Sequence, residues 1–289
     1  MIARRMRTLT AADVDAYRRD GFLVLPGFVP AERCAALRAH ALALAERLVA
    51  DCPSPTVFTA DGTAKHAADA WFLGSGDSMR CFYEQAAFGV DGALRGPAHL
   101  SLNKLGHAMH DRDAAFAAFS RTPELAAAAA AIGMRDPRLL QSMYLFKHPG
   151  IGGEVNCHVD HTYLWTEPRS VVGFWFAIDD ATTGNGCMWA LPGGHRLPVR
   201  ERSRLAADRS RTVLDVLDAP PYPTEGFVPL EAPRGTLVLL DGALPHRSGP
   251  NRSAMPRHAY TLHAIEGGAR YLPDNWLQRD VASLRGFRS

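Results

Sequence analysis

Two histidines and an aspartate, His158, Asp160 and His246, followed by Arg257, are the residues of this chain whose types and spacing suit redox chemistry. Two imidazoles and one carboxylate make the facial triad of a mononuclear non-haem iron(II) site, which leaves positions open for a chelating co-substrate and for dioxygen. A guanidinium eleven residues beyond the second histidine is suited to grip a dicarboxylate. With 12 histidines in 289 residues, chance alone supplies about one His-x-Asp tripeptide. The elements around these residues must therefore decide whether they meet.

From residue 139 onward the pattern has the period of strands, over 141–147, 155–165, 171–178, 187–191, 236–240 and 258–265. Asn185-Gly186 is a turn signal between two of them. In a strand, residues i and i+2 share a face, so His158 and Asp160 are expected to point inward while Val159 faces out. Arg257, at the head of the 258–265 alternation, is expected to point inward as well.

Before residue 139 the reading is largely helical. Thr10 and Asp13 predict a helix over 11–19 ended by Asp20-Gly21, then a short strand at 22–25. Pro30 opens a longer helix carrying Leu37, Leu44 and Leu48 at helical spacing. Further helices are expected at 111–120 and 123–132. Residues 52–100 read as irregular, with part of that stretch folded over the core as a lid. Together this predicts an α+β chain: an antiparallel sandwich or jelly roll over about 136–268, a helical N-terminal layer over about 8–135 and an extension over 269–289, all one domain of 289 residues.

Composition narrows the function classes. A hydrophobic fraction of 47% supports a sizeable core, and a net charge of +2 offers no global attraction to nucleic acid or membrane. No window reaches the roughly 18 apolar residues of a membrane span. Arg4, Arg5 and Arg7 read as a solvated tail. Five cysteines, odd in number and without a C-x-x-C spacing, argue for reduced thiols and a cytoplasmic location.

Several motifs resemble the phytanoyl-CoA dioxygenase family. They are Gln141-Ser142-Met143-Tyr144-Leu145-Phe146-Lys147, Gly153-Glu154-Val155 leading to His158-Val159-Asp160, Thr166-Glu167-Pro168, Asn185-Gly186-Cys187, Leu191-Pro192-Gly193-Gly194-His195 and His246-Arg247-Ser248-Gly249-Pro250-Asn251. Asn103 to His110 and Asn275-Trp276-Leu277-Gln278 extend the likeness. The resemblance implies a double-stranded β-helix, the jelly-roll form, that uses iron(II), 2-oxoglutarate and O2 on a small-molecule substrate, with His158, Asp160 and His246 as metal ligands. It also implies that Arg257, helped by Ser248, holds the far carboxylate of 2-oxoglutarate, and that Trp175, Met143 and Lys104 line that pocket. Gly194 stands where many members have serine, and Val159 where glutamine is common. Asp160 is retained, unlike in halogenating relatives, which implies hydroxylation or desaturation.

Each assignment has a plainer alternative. The three ligands could be a hydrogen-bonded core pair and an unrelated loop histidine, Arg257 a surface arginine, and Trp175 and Met143 simple core. Trp165, Trp189 and Phe174 are read as core. His161 is read as a neighbour of the ligands, and His107, His110, His195 and His263 as satisfied polar positions, with His195 fixing the loop after Leu191. Arg196, Arg200, Arg202, Arg204, Arg209 and Arg211 read as a solvated loop, the alternative being a rim for an anionic substrate such as an acyl-CoA. At the level of function, the alternatives are a non-catalytic metal-binding jelly roll with a binding or regulatory role, and zinc hydrolysis on the same ligands. A dicarboxylate clamp at Arg257 favours the oxygenase over both.

Overall fold

Thr10 starts the first helix through a reciprocal cap: its hydroxyl accepts from the Asp13 N–H, and the Asp13 carboxylate accepts from the Thr10 N–H. This is seen in a computed structural model that describes residues 8–52, 55–59 and 66–288. Arg4, Arg5 and Arg7 lie outside the described residues. Helix α1 (Ala11–Asp20) ends at Gly21, whose φ of 81° is the left-handed stop that glycine adopts without strain. Then follow β1 (Phe22–Leu25), α2 (Ala31–Ala50), β2 (Val57–Phe58), α3 (Ala70–Leu73), β3 (Met79–Glu84), β4 (Leu102–His107), α4 (Met109–Arg112), α5 (Ala114–Ser120) and α6 (Pro123–Ala131). The second half holds β5 (Pro137–Leu145), β6 (Val155–His158), β7 (Thr166–Glu167), β8 (Val172–Ala177), β9 (Met188–Ala190), β10 (Glu201–Leu205) and β11 (Thr212–Val216). It closes with β12 (Val228–Leu230), β13 (Leu237–Asp241), β14 (His246–Ser248), β15 (Ala259–Glu266) and β16 (Arg270–Tyr271).

Two sheets make the jelly roll. The larger has eight strands in the order β1-β13-β8-β15-β5-β4-β3-β2, and the smaller four in the order β12-β9-β14-β6. The period of two in the large sheet sorts its side chains. Phe174, Phe176, Leu237, Leu239, Tyr260 and Leu262 pack outward against Leu37, Leu44, Phe116 and Phe119 of the helical layer. Trp175, Ala177, Val238, Leu240 and Ala259 face inward, against Met188, Ala190 and Leu230. Both faces are therefore apolar, which is why these strands read as nearly continuous hydrophobic runs.

Some expectations are corrected. Residues 111–120 are two helices: Asp113 is extended, at φ −134° and ψ 130°, and its carboxylate accepts from the Ala115 and Phe116 N–H groups to restart the chain as α5. The stretch 52–100 is not simply irregular, because β3 pairs with β4 and, with β2, extends the large sheet. The strand expected over 155–165 stops at His158 and gives way to a 3-10 turn at Asp160–Thr162. Val159 points away from the site, yet it is fully buried rather than facing solvent. The arginine-rich stretch is not a loop but the β10–β11 hairpin, in which Arg204 pairs with Asp215. Phe174 is core, as expected, whereas Trp165 and Trp189 are only half-buried.

Asp111 ties the C-terminal extension to the helical layer. Its carboxylate meets Arg121, just past the end of α5, and both Arg279 and Arg285 from the extension. Burial works to raise this carboxyl, but His110, Arg279 and Arg121 hold it well below the usual carboxylate range. A depressed carboxyl stabilises the fold above its unfolded value of about 3.9 and loses that contribution as the pH falls. Asp111→Asn is expected to cost about 3 to 5 kcal/mol at neutral pH. Urea denaturation of both proteins checks this: the gap should narrow below about pH 4, and a gap independent of pH would remove the carboxylate's charge from the account.

Candidate metal centre

His158 and His246 are brought together by strand pairing. They stand directly opposite each other where β6 pairs with β14, and one extra residue on β6 makes a bulge between this pair and the next, Val155 with Ser248. The ring centroids lie 4.3 Å apart. Each Nδ1 sits on a carbonyl two residues upstream, His158 on Asn156 O at 2.8 Å and His246 on Leu244 O at 2.9 Å. A carbonyl only accepts, so Nδ1 carries the proton in both rings and Nε2 presents its lone pair. The two Nε2 atoms lie 3.8 and 3.7 Å from Asp160 Oδ1.

Asp160 arrives by a different route. Val159 remains extended at φ −123° and ψ 143°, so alternation carries one step past the end of β6 and returns Asp160 to the face of His158. Its second oxygen lies 3.2 Å from Nε2 of His263 on β15. It also lies 3.1 Å from where a Cβ would stand on Gly173, the register partner of His263 on β8, so only glycine leaves that oxygen its place. Burial works to raise the Asp160 carboxyl, yet the rings of His263, His246 and His158 hold it below the ordinary range. Burial, and then His246, lowers His158 to about 4, so its imidazole is neutral at physiological pH. One ligand atom from each of His158, Asp160 and His246 fits within 4.8 Å of the others, which suits a single metal ion.

Of the other predicted residues, Trp175, Met143 and Lys104 lie on the large sheet, Ser248 on β14 of the small one, and Arg257 just ahead of β15. Trp175, Thr261, Met143 and Gly106 are register partners in one inward-facing row, and Ala177, Ala259, Leu145 and Lys104 form the next. Arg257 precedes β15 and is 3% exposed. Its guanidinium carbon lies 5.7 Å from the centre of the Trp175 ring, and its Nε and Nη1 have no hydrogen-bond partner. Burial lowers Arg257 to about 10 against the pull of Cys187, Glu84 and Asp179. Lys104 is buried with its Nζ 3.2 Å from the centre of the Phe58 ring, and burial lowers it to about 7. Ser248 is buried and accepts a hydrogen bond from Lys147 Nζ at 2.7 Å.

Comparison with known proteins agrees with this geometry. The family model described as phytanoyl-CoA dioxygenase (PhyH) matches residues 17–259. The chain belongs to the phytanoyl-CoA dioxygenase family. Among relatives in that family, the phytanoyl-CoA dioxygenase of Arabidopsis thaliana is 37% identical over 94% of each chain. The phytanoyl-CoA dioxygenase domain-containing protein 1 of Mus musculus is 36% identical over 94% of this chain and 96% of its own. The fold is shared with the alpha ketoglutarate dependent carbocyclase SnoK from nogalamycin biosynthesis, at a TM-score of 0.65, 19% identity, and coverage of 93% and 89%. It is shared also with the epimerase SnoN in complex with Fe3+, alpha ketoglutarate and nogalamycin RO, at a TM-score of 0.59, 17% identity, and coverage of 91% and 85%.

The remaining histidines divide. His161 is not in the group of three that could hold a metal: its ring is tilted against that of Trp165, with centroids 4.5 Å apart. His110 is satisfied by Ser142 and the Leu139 carbonyl. His195 lies where a side chain on Gly21 would be. His107 and His195 each keep one buried ring nitrogen without a partner, so neither is fully satisfied. His263 is the residue that sequence reasoning missed. The signal was present, since 259, 261 and 263 share one face of β15 and Arg257, two residues ahead of that strand, is expected to point inward. Residues that hold a metal's own ligands typically contribute 10- to 100-fold in affinity. His263→Ala should therefore weaken Co(II) binding by about that factor, while Asp160→Ala should abolish it. A Co(II) titration followed by its visible absorption decides, and unchanged affinity in His263→Ala would detach that residue from the centre.

Proposed function

We propose that the chain, as one domain, is an iron(II)- and 2-oxoglutarate-dependent dioxygenase that hydroxylates a small organic substrate. His158, Asp160 and His246 hold the metal in this reading, and Arg257 with Ser248 holds the far carboxylate of 2-oxoglutarate. The observation that carries it is Arg257. A buried guanidinium with two donors lacking any acceptor calls for an anion, and a planar fork suits a carboxylate. Trp175, which Arg257 overlies, is one row of the sheet from the His263–Gly173 pair under Asp160, about 7 Å along the strand. That is the scale of a five-carbon diacid. A zinc hydrolase has no use for such a clamp, and a binding protein need keep neither clamp nor ligands.

When bound, iron with 2-oxoglutarate and O2 supplies the oxidant, with release of succinate and CO2. The chain's own part is geometry and charge. His158 and His246 offer neutral nitrogens fixed by backbone carbonyls, Asp160 the one negative ligand, and Arg257 the counter-charge at the far end. Trp175 and Met143 wall the pocket, and Lys104 adds a buried cation from β4. The epimerase of the same fold that holds Fe3+ and alpha ketoglutarate supports this assignment. Among the described residues no helix is long and apolar enough to cross a membrane, and no disulfide joins the cysteines, in keeping with the cytoplasmic location we propose.

Anaerobic iron(II) with 2-oxoglutarate should give the weak visible band of a chelated keto acid, which His158→Ala and Asp160→Ala abolish. A band that survives in both variants would refute the ligand set. Removing one partner of a buried charge pair costs about 3 to 5 kcal/mol, so Arg257→Ala should weaken 2-oxoglutarate binding by roughly a hundred- to several-thousand-fold in calorimetry. Equal affinity would remove Arg257 from the site.

The substrate is proposed to be a small molecule without CoA. A CoA site needs free cations converging on phosphates, whereas Arg196 is engaged with the Arg18 and Arg19 carbonyls, Arg202 with Asp274, Arg204 with Asp215 and Arg209 with Gln278. Partly exposed ion contacts are worth under about 1 kcal/mol each, so neutralising Arg200, Arg202 and Arg204 together should change turnover by less than about a hundredfold. Strong stimulation of succinate release by an acyl-CoA, lost with salt and with the triple variant, would overturn this choice of substrate.

A further inference from the structure

Lys147 is a buried cation to which the assignments above give no role. It lies two residues beyond β5 at φ 37°, a left-handed backbone that residues with a side chain adopt reluctantly. The turn delivers its carbonyl to Asn251 Nδ2 at 2.9 Å and to the Arg257 N–H at 3.3 Å. Its side chain then runs between two glycines. A Cβ on Gly152 would stand 2.7 Å from Lys147 Cγ, and one on Gly186 2.5 Å from Lys147 Cε. At the end of this path the ammonium donates to Gly153 O at 2.9 Å and to Ser248 Oγ at 2.7 Å.

A strained turn and two cleared positions serve one outcome, the placement of that ammonium against Ser248. An ammonium has donors only. Ser248 must therefore accept from it, and its own hydroxyl hydrogen is left to be given elsewhere. Among the described residues nothing takes that hydrogen. Arg257 has Nε and Nη1 in the same condition. Both cations are buried, and burial followed by Arg257 brings Lys147 down to about 7. The nearby acid, Glu84, already receives Asn103 Nδ2 and the Gly153 N–H. Two kinds of donor without acceptors in a positive field match one carboxylate.

We infer that Lys147 is a positioning residue that occupies a lone pair of Ser248 and so turns the Ser248 hydroxyl hydrogen toward the far carboxylate of 2-oxoglutarate, beside Arg257. This rests on the dioxygenase reading above. Anaerobic calorimetry on the iron(II)-loaded chain tests it with Lys147→Met, Ser248→Ala and the double variant. Each single change should weaken 2-oxoglutarate binding by roughly tenfold to a hundredfold. The double variant should be no more than about twofold worse than the weaker single one, because the two residues act as a unit. Iron(II) affinity should stay unchanged, which a general loosening of the site would not allow. If Lys147→Met does not fold, Lys147→Gln takes its place in the same cycle, with a smaller loss expected because its amide can still donate. Affinity within twofold of wild type, or losses that multiply in the double variant, would overturn the inference while leaving the effect of Arg257→Ala intact. A wild-type chain that binds no 2-oxoglutarate would instead sink the dioxygenase reading and this inference with it.

Discussion

The antiparallel pairing of β6 with β14 is the constraint on which the centre depends. It sets His158 and His246 face to face although they are far apart in sequence, and no local feature of either segment could do so. Once paired, each ring is turned by a carbonyl of its own segment, Asn156 or Leu244, so the backbone decides which nitrogen is offered. The bulge between the two pairs sets Asn156 and Cys157 of β6 against Arg247 alone on β14. Metal geometry is thus written mainly in main-chain hydrogen bonds, with side-chain packing as a supplement.

The large sheet supplies what the small one lacks. Its inward rows place His263 and Gly173 under Asp160, Trp175 and Met143 beside them, and Lys104 one row further on. Its outward rows anchor the helical layer through Phe174, Phe176, Tyr260 and Leu262. The same alternation therefore builds the pocket on one face and the stability on the other. A one-residue slip of β15 would exchange Thr261 and His263 for Leu262 and Ala264, and with them the interior for the core.

Much of this was legible in the residues. Period-two alternation identified the strands that carry Trp175 and Met143 and the inward sense of Arg257, and the helix signals at Thr10, Gly21 and Pro30 were local enough to read directly. What escaped has a common physical cause, since it depends on partners distant in sequence. The break after His158 was hidden because Val159 is extended and apolar, as a strand residue would be. The β10–β11 hairpin was hidden because its charged residues answer each other across strands and mimic a solvated loop. His263 looked like any polar residue on a core strand until Asp160 was placed against it. Gly186 was read correctly as a turn, with φ 84°, but its second duty, leaving room for Lys147, involves a side chain from another segment.

Asp160 is held from both sides of the barrel. One oxygen faces the imidazoles of the four-stranded sheet, and the other rests against His263 and the bare backbone of Gly173 in the eight-stranded sheet. The carboxylate thus bridges the gap between the sheets, and its distance to the two imidazoles varies with the width of that gap. Any molecule that wedges the sheets apart shifts this ligand before it disturbs a strand ladder. Widening of that gap would therefore change where the carboxylate stands relative to the two imidazoles while every strand ladder stayed intact.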